Sequence, residues 1–313
     1  MSQPQPPAFP GQPVVDPDAL AAGESGGQAW TDIVMAFDSA PVYAKRRPGS
    51  GTPVVFLHGY GDYGDCWQGL LARLPRDIDA TLVDSLGHGH SGYPASGCDA
   101  VARRDAVVQL LREHIGPAAL VGHSMGAGTA LAVAAAEPTL VTGLVLEDPP
   151  WWLDEIARRP VNVIRIARSE ALVQWIEGLQ QRTVADVTAS CRADHPGWDE
   201  VEFEHWARSK LRVDLTGVDL PYREIPESVL EQWQQVRCPA LLVTGDPAKS
   251  GIVTDEMAEQ FLAHLPGARR SHHPVCGHDI RRDDPAGVAA AITEFLAALG
   301  APAAVTAYSH LSR

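Results

Sequence analysis

Between an apolar run, Ala118–Val121, and an Ala-rich one stands the pentapeptide Gly122-His123-Ser124-Met125-Gly126. A serine in the pattern G-x-S-x-G, with a strand before it and a helix after it, is placed to act as a nucleophile on a sharp turn. The glycines suit that reading, because such a turn crowds any Cβ and holds the serine at strained backbone angles. The plainer reading is a Gly-rich turn whose serine only caps the next helix. A serine hydroxyl needs a base to take its proton. His278, in "HHPVCGHDIRRDD", follows a short strand-like stretch and precedes the last helix, so it suits a loop above a sheet. His123 is expected to point away from the turn, and His272 and His273 to be strand or surface residues. An oxyanion formed at an attacked carbonyl needs two N–H donors. Met125 supplies one, and the second is assigned to Tyr60 in "LHGYGDYGDCW", with His58 and Gly59 shaping the turn and bordering the substrate. Asp84, His88 and His90 in "DSLGHGHSG" have metal-ligand types, but their spacing fits a Gly-rich turn after a strand better; no metal is assigned.

These residues need a scaffold, and the chain carries the signs of one. Apolar runs at 53–59, 80–89, 118–124, 142–150 and 238–246 each read as a buried strand leading into Gly, His or Asp, and they alternate with helical patterns such as 98–115 and 126–138. Runs that are apolar throughout suit strands covered on both faces. The alternation predicts an α/β fold with a mostly parallel sheet, whose function sits at the carboxyl ends of the strands. The expected core spans 29–150 and 235–300. Between them, 151–234 has no good strand and holds six of the eight tryptophans, so it reads as a helical insertion that covers the strand ends. Most of these tryptophans are expected to pack the insertion onto the core. Trp151 and Trp152 are assigned to an apolar substrate pocket. Residues 1–28, rich in Pro, Gly and Gln, read as a flexible arm, and 301–313 as a tail.

The combination of His58-Gly59, Asp84-x-x-Gly87-x-Gly89-x-Ser91, Gly122-His-Ser124-Met-Gly126 and Gly277-His278-Asp279 resembles the α/β-hydrolase fold superfamily, in its single-domain group with a helical cap. The resemblance runs from about residue 30 to 300. It implies an eight-stranded, mostly parallel sheet flanked by helices, catalysis without a cofactor, and the chain order Ser, acid, His. The acid departs from the family's commonest pattern, which puts an aspartate three residues after the glycine closing the penultimate strand. Here Ala248 holds that place, and Asp246 directly follows Gly245. In some relatives the acid ends the preceding strand, where Asp148 stands in "LVLEDPP". Asp148 is preferred and Asp246 is the alternative. Glu147 ranks third, since strand alternation turns it away if Asp148 points in.

The expected activity is therefore hydrolysis of an ester or lactone of a small, largely apolar molecule. The alternatives are carbon–carbon bond hydrolysis of a diketone and a non-catalytic small-molecule sensor of the same fold. The rest of the composition narrows the partners. With 313 residues and a net charge of −14, the chain is a poor match for nucleic acid or an anionic membrane surface. No segment approaches the roughly 20 apolar residues of a membrane span. The N-terminal residues have no basic stretch leading into an apolar one, and five scattered cysteines show no CxxC pair. Both suggest a reducing, cytoplasmic setting. Nothing in the sequence specifies the oligomeric state.

Overall fold

The computed structural model of the chain describes residues 29–151, 163–215 and 229–300. The expected arm, Trp152 and the tail lie outside the described residues. Eight strands form one sheet: β1 (Thr31–Phe37), β2 (Ala40–Arg47), β3 (Pro53–Leu57), β4 (Asp79–Val83), β5 (Ala118–His123), β6 (Val141–Glu147), β7 (Ala240–Thr244) and β8 (Arg269–His272). Their order is β1-β2-β4-β3-β5-β6-β7-β8. The pairings of β1 with β2 and β2 with β4 are antiparallel, and all others are parallel.

The five apolar runs become β3 to β7, and their alternation sorts side chains between two cores. Val55, Leu57 and Leu120 face the layer of α2 (Ala100–Leu110) and α3 (Met125–Ala136). Val54, Phe56 and Val121 face the layer of the short α1 (Gln68–Leu71) and the final helix, α10 (Pro285–Gly300). A five-residue strand offering two or three apolar side chains to each face must be apolar along its whole length. The β1–β2 hairpin is the pair that no apolar run announces. Its strands bury only part of one face, and its turn residues Asp38 and Ser39 both have positive φ, 42° and 66°. That is the backbone a two-residue hairpin requires, here without the Asn-Gly or Asp-Gly that usually signals it.

The segment between β6 and β7 is helical where described: α4 (Val163–Gln180), α5 (Val184–Asp194), α6 (Glu200–Leu211) and α7 (Val229–Gln235). Buried charge fastens it to the core. Lys210 of α6 donates to the Gly61 carbonyl at 2.8 Å and to Asp62 Oδ1 at 3.0 Å. The other Asp62 oxygen accepts from Arg281 at 2.8 Å and Arg282 at 3.0 Å. Both arginines lie on α9 (Ile280–Asp283), which follows α8 (Asp255–His264) in the chain. Arg282 also reaches Glu202 of α6 at 3.0 Å, and the Trp198 indole N–H donates to Asp283 at 2.9 Å. Among the described residues, no helix is long and apolar enough to cross a membrane. All five cysteines are free thiols.

Burial alone would raise the Asp62 pKa, but Arg282, Lys210 and Arg281 outweigh it and hold the carboxyl well below the usual range. Removing that charge would leave three buried cations short of a partner, at a cost of about 3–5 kcal/mol. Urea unfolding of Asp62→Ala should therefore show a loss of that order, whereas Glu204→Ala, at the exposed surface of α6, should unfold like the parent.

Candidate active site

Strand β5 ends at His123 and α3 begins at Met125, so a single residue, Ser124, makes the turn. Its backbone sits at φ 49° and ψ −117°, a conformation that costs an L-residue on the order of 1–3 kcal/mol. The glycines permit the turn sterically. A Cβ on Gly122 would lie 2.4 Å from the Gly126 carbonyl oxygen, and one on Gly126 would lie 2.1 Å from that of Leu57. The turn is held by the Ser124 N–H, which donates to the Glu147 carbonyl at 2.9 Å, and by the Ser124 carbonyl, which accepts from Gly128 at 3.0 Å. The Ser124 side chain makes no capping hydrogen bond to α3, so the plain reading of a helix-capping serine does not hold. The first helical amides, including that of Met125, have no acceptor within the helix and point toward the turn.

Neighbouring strand ends bring up the other groups. Asp148, just past β6, is fully buried with φ 41°. Its carboxylate accepts from the N–H groups of Ile252, at 2.9 Å, and Val253, at 3.0 Å, in the loop after β7. His278 Nδ1–H donates to Asp148 Oδ2 at 2.6 Å. Burial disfavours the imidazolium, but the hydrogen bond and charge of Asp148, with Asp279 and Glu147 behind it, raise the His278 pKa above the ordinary value. Asp246 does not meet His278. Its side chain accepts from the Ala248 N–H at 2.9 Å and closes a turn of its own. Glu147 points the other way along the strand, where it accepts from the Arg281 N–H at 2.7 Å. Burial pushes its pKa up to about 7, against the pull of Arg281.

The turn after β3 lies against the serine: a Cβ on Gly59 would be 3.4 Å from Ser124 Cβ. Tyr60 follows directly, in the turn after β3, the strand that pairs with β5, with its ring edge-on to His88 at 5.1 Å. Two residues assigned to substrate contact do something else. His58 is fully buried; its Nδ1–H donates to the Gly59 carbonyl at 2.8 Å and its Nε2 accepts from Ser85 at 2.9 Å. Burial lowers its pKa, as this neutral, doubly bonded form requires, so His58 ties the β3 and β4 turns together. Trp151 is 4% exposed and packs edge-on against Trp233 at 4.8 Å, inside the core cluster. Its indole fills the core instead of walling an open pocket.

Asp84 accepts from Gly64 at 2.7 Å and from the His90 backbone at 2.8 Å, while His88 turns to the Leu86 carbonyl at 3.0 Å. The His90 ring also meets the Asp84 carboxylate at 2.9 Å, while His88 is directed away from that pair. Asp62, His123 and Asp279 come within ligand spacing of one another. The two carboxylates, however, are already matched by Arg281, Arg282 and Lys210. His273, Cys276 and Asp284 also cluster, with both His273 nitrogens committed to Asp284 and Ser271. Sequence reasoning missed the charge network. "DIRRDD" reads as a solvated charge run, and only the apolar Ile280 within it hints that the segment turns inward.

The sequence profile of the Alpha/beta hydrolase family matches residues 54–291. The chain is 29% identical over 224 residues to (E)-2-((N-methylformamido)methylene)succinate hydrolase of Acinetobacter baylyi, covering 68% of this chain and 79% of that protein. It is 28% identical over 251 residues to lipase LipV of Mycobacterium tuberculosis, covering 78% and 93%. Among solved structures, an esterase from Exiguobacterium antarcticum superposes with a TM-score of 0.66 at 20% identity, over 85% of this chain and 99% of that one.

Were His278 to serve Ser124 as its base, the reactivity of Ser124 would depend on pH with a definite sign. His278 accepts a proton only when neutral, and its raised pKa delays that form to higher pH. Labelling of Ser124 by a fluorophosphonate should thus rise through a midpoint above the ordinary histidine value of about 6.5. In Asp148→Asn the hydrogen bond to a charge is lost, burial prevails, and the midpoint should fall while labelling slows.

Proposed function

This chain belongs to the alpha/beta hydrolase family, and from that premise we propose that it hydrolyses an ester or lactone of a small, largely apolar molecule. Ser124 Oγ attacks the carbonyl carbon while His278 takes its proton. The charge that develops on oxygen rests on the N–H groups of Tyr60 and Met125. Asp148 holds the imidazole in one tautomer and stabilises its cation. His278 then returns the proton to the leaving group. It next activates water, which releases the acyl group and restores Ser124. No metal or cofactor takes part in this scheme.

The observation that supports this reading most is the 2.6 Å hydrogen bond from His278 to Asp148 at the same sheet edge as the strained, uncapped Ser124. A serine at the turn also separates the chain from relatives that use an aspartate there. The helical insertion would lie over the site and exclude water, fastened by Lys210 beside the Tyr60 turn. The similarity to a lipase favours ester cleavage, and a cytoplasmic place fits the five free thiols. The apolar character of the substrate rests on the tryptophans of the insertion. Trp175 of the insertion is 46% exposed and lies edge-on to Trp206 at 5.9 Å.

Purified protein should turn over p-nitrophenyl esters of short to medium acyl chains. Ser124→Ala should lower kcat by roughly 10^6-fold and Asp148→Asn by about 10^4-fold, with circular dichroism unchanged. Asp246→Asn should retain the parental rate. Ester and lactone turnover that survives in Ser124→Ala would refute the serine mechanism. Turnover confined to a diketone substrate would move the reaction to carbon–carbon hydrolysis.

A further inference from the structure

Strand β5 carries one more polar side chain to this edge of the sheet, and the reaction scheme leaves it unused. His123 directly precedes Ser124 and is 3% exposed. Its Nε2 lies 3.0 Å from the main-chain oxygen of His278, and the two rings are 4.7 Å apart. A carbonyl oxygen only accepts, so Nε2 carries the proton and donates. Burial, reinforced by Arg281 and His278, holds the His123 pKa well below the ordinary range despite the nearby carboxylates of Asp279 and Asp62. The ring is therefore neutral with a single N–H, and that N–H is committed to His278.

The other nitrogen makes the residue hard to explain by packing. His123 Nδ1 is a buried acceptor with no hydrogen-bond partner, facing Gly59, where a Cβ would be only 2.6 Å away. An unsatisfied buried acceptor is destabilising, and an apolar side chain of similar size would avoid it. The compensating gain is the bond to residue 278. Neighbouring bonds anchor the same loop before that residue, at Cys276 and Gly277, and after it, where the Arg281 N–H donates to Glu147 at 2.7 Å. The Asp246 N–H donates to the Cys276 carbonyl at 2.8 Å, and the Gly277 N–H donates to Asp283 at 2.9 Å. The His278 ring is steered by Asp148 and its main chain by His123, two fixed points that together set where Nε2 of His278 points.

We infer that His123 is a positioning residue for catalysis, its Nε2–H holding the main chain of His278 in register with the adjacent Ser124. The role rests on the assignment of Ser124 and His278 under Proposed function. The histidine inside the pentapeptide thus couples nucleophile and base through the backbone, whereas Asp148 couples to the base through its side chain.

The test compares His123→Leu, His123→Gln and His123→Asn with Ser124→Ala in the full chain, on the best p-nitrophenyl ester, with thermal unfolding recorded for each. His123→Leu should lower kcat by about tenfold or more, the scale of one lost buried hydrogen bond, with KM nearly unchanged. The amide N–H of Gln reaches where Nε2–H stood, so His123→Gln should recover most of kcat. Asn is too short and should remain impaired. Parental kcat in His123→Leu, or equal losses in Leu and Gln, would overturn the role. If His123→Leu does not fold, the contrast of Gln with Asn decides: recovery in Gln alone supports the role, and equal rates overturn it. Activity retained in Ser124→Ala would instead strike at the serine mechanism beneath it, a separate and recognisable result.

Discussion

One buried carboxylate, that of Asp62, is the partner on which three cations from two parts of the chain depend. Lys210 comes from the helical insertion, and Arg281 and Arg282 come from the turn of helix just past His278. Full solvation is unavailable to any of them, so each has to be matched inside the protein, and the geometry of the match is correspondingly exacting. Asp62 itself sits two residues beyond Tyr60. A single charge centre therefore ties the insertion, the turn after β3 and the loop of His278 to one another. The additional links of Arg282 to Glu202 and of Trp198 to Asp283 close the circuit on the insertion side. An apolar contact would stabilise these elements without fixing their register, because burial of apolar area has no direction.

Above that charge layer, two strand ends carry strained backbone. Ser124 and Asp148 both leave neighbouring parallel strands with positive φ. The surrounding hydrogen bonds over-determine both conformations. Ser124 is bonded at its amide to Glu147 and at its carbonyl to Gly128, and Asp148 at its amide to Val243. The stored strain keeps the serine side chain off the helix amides it would otherwise cap, and it directs the aspartate into the next loop rather than along its strand.

The electrostatic environment divides the histidines of the region by role. His58 and His123 are buried without a carboxylate hydrogen bond and are held neutral, each donating to a main-chain oxygen. His278 is distinguished by its direct bond to Asp148, which reverses the effect of burial and raises its pKa. The same residue type thus supplies two rigid braces and one group able to exchange a proton, and the difference lies in one contact.

How much of this was legible beforehand follows from the range of each interaction. The strand–turn–helix around Ser124, the apolar strands and the helical insertion are local patterns, since two-residue and 3.6-residue periodicities and glycine spacing act within a few residues. The sequence by itself therefore determined the fold class, the sharp strand-to-helix turn at Ser124 and the place of His278 on a loop between β8 and the last helix. It left Asp148 and Asp246 nearly equal, because both are aspartates at strand ends followed by proline. Only the sheet order, which seats β6 between β5 and β7, and the amides of Ile252 and Val253 turn one of them to the histidine and leave the other closing a turn. The β1–β2 hairpin and the Asp62 network were likewise decided in three dimensions. Their signals, a turn without glycine and a charge run that resembles a solvated face, acquire meaning only from partners as far as 220 residues away along the chain.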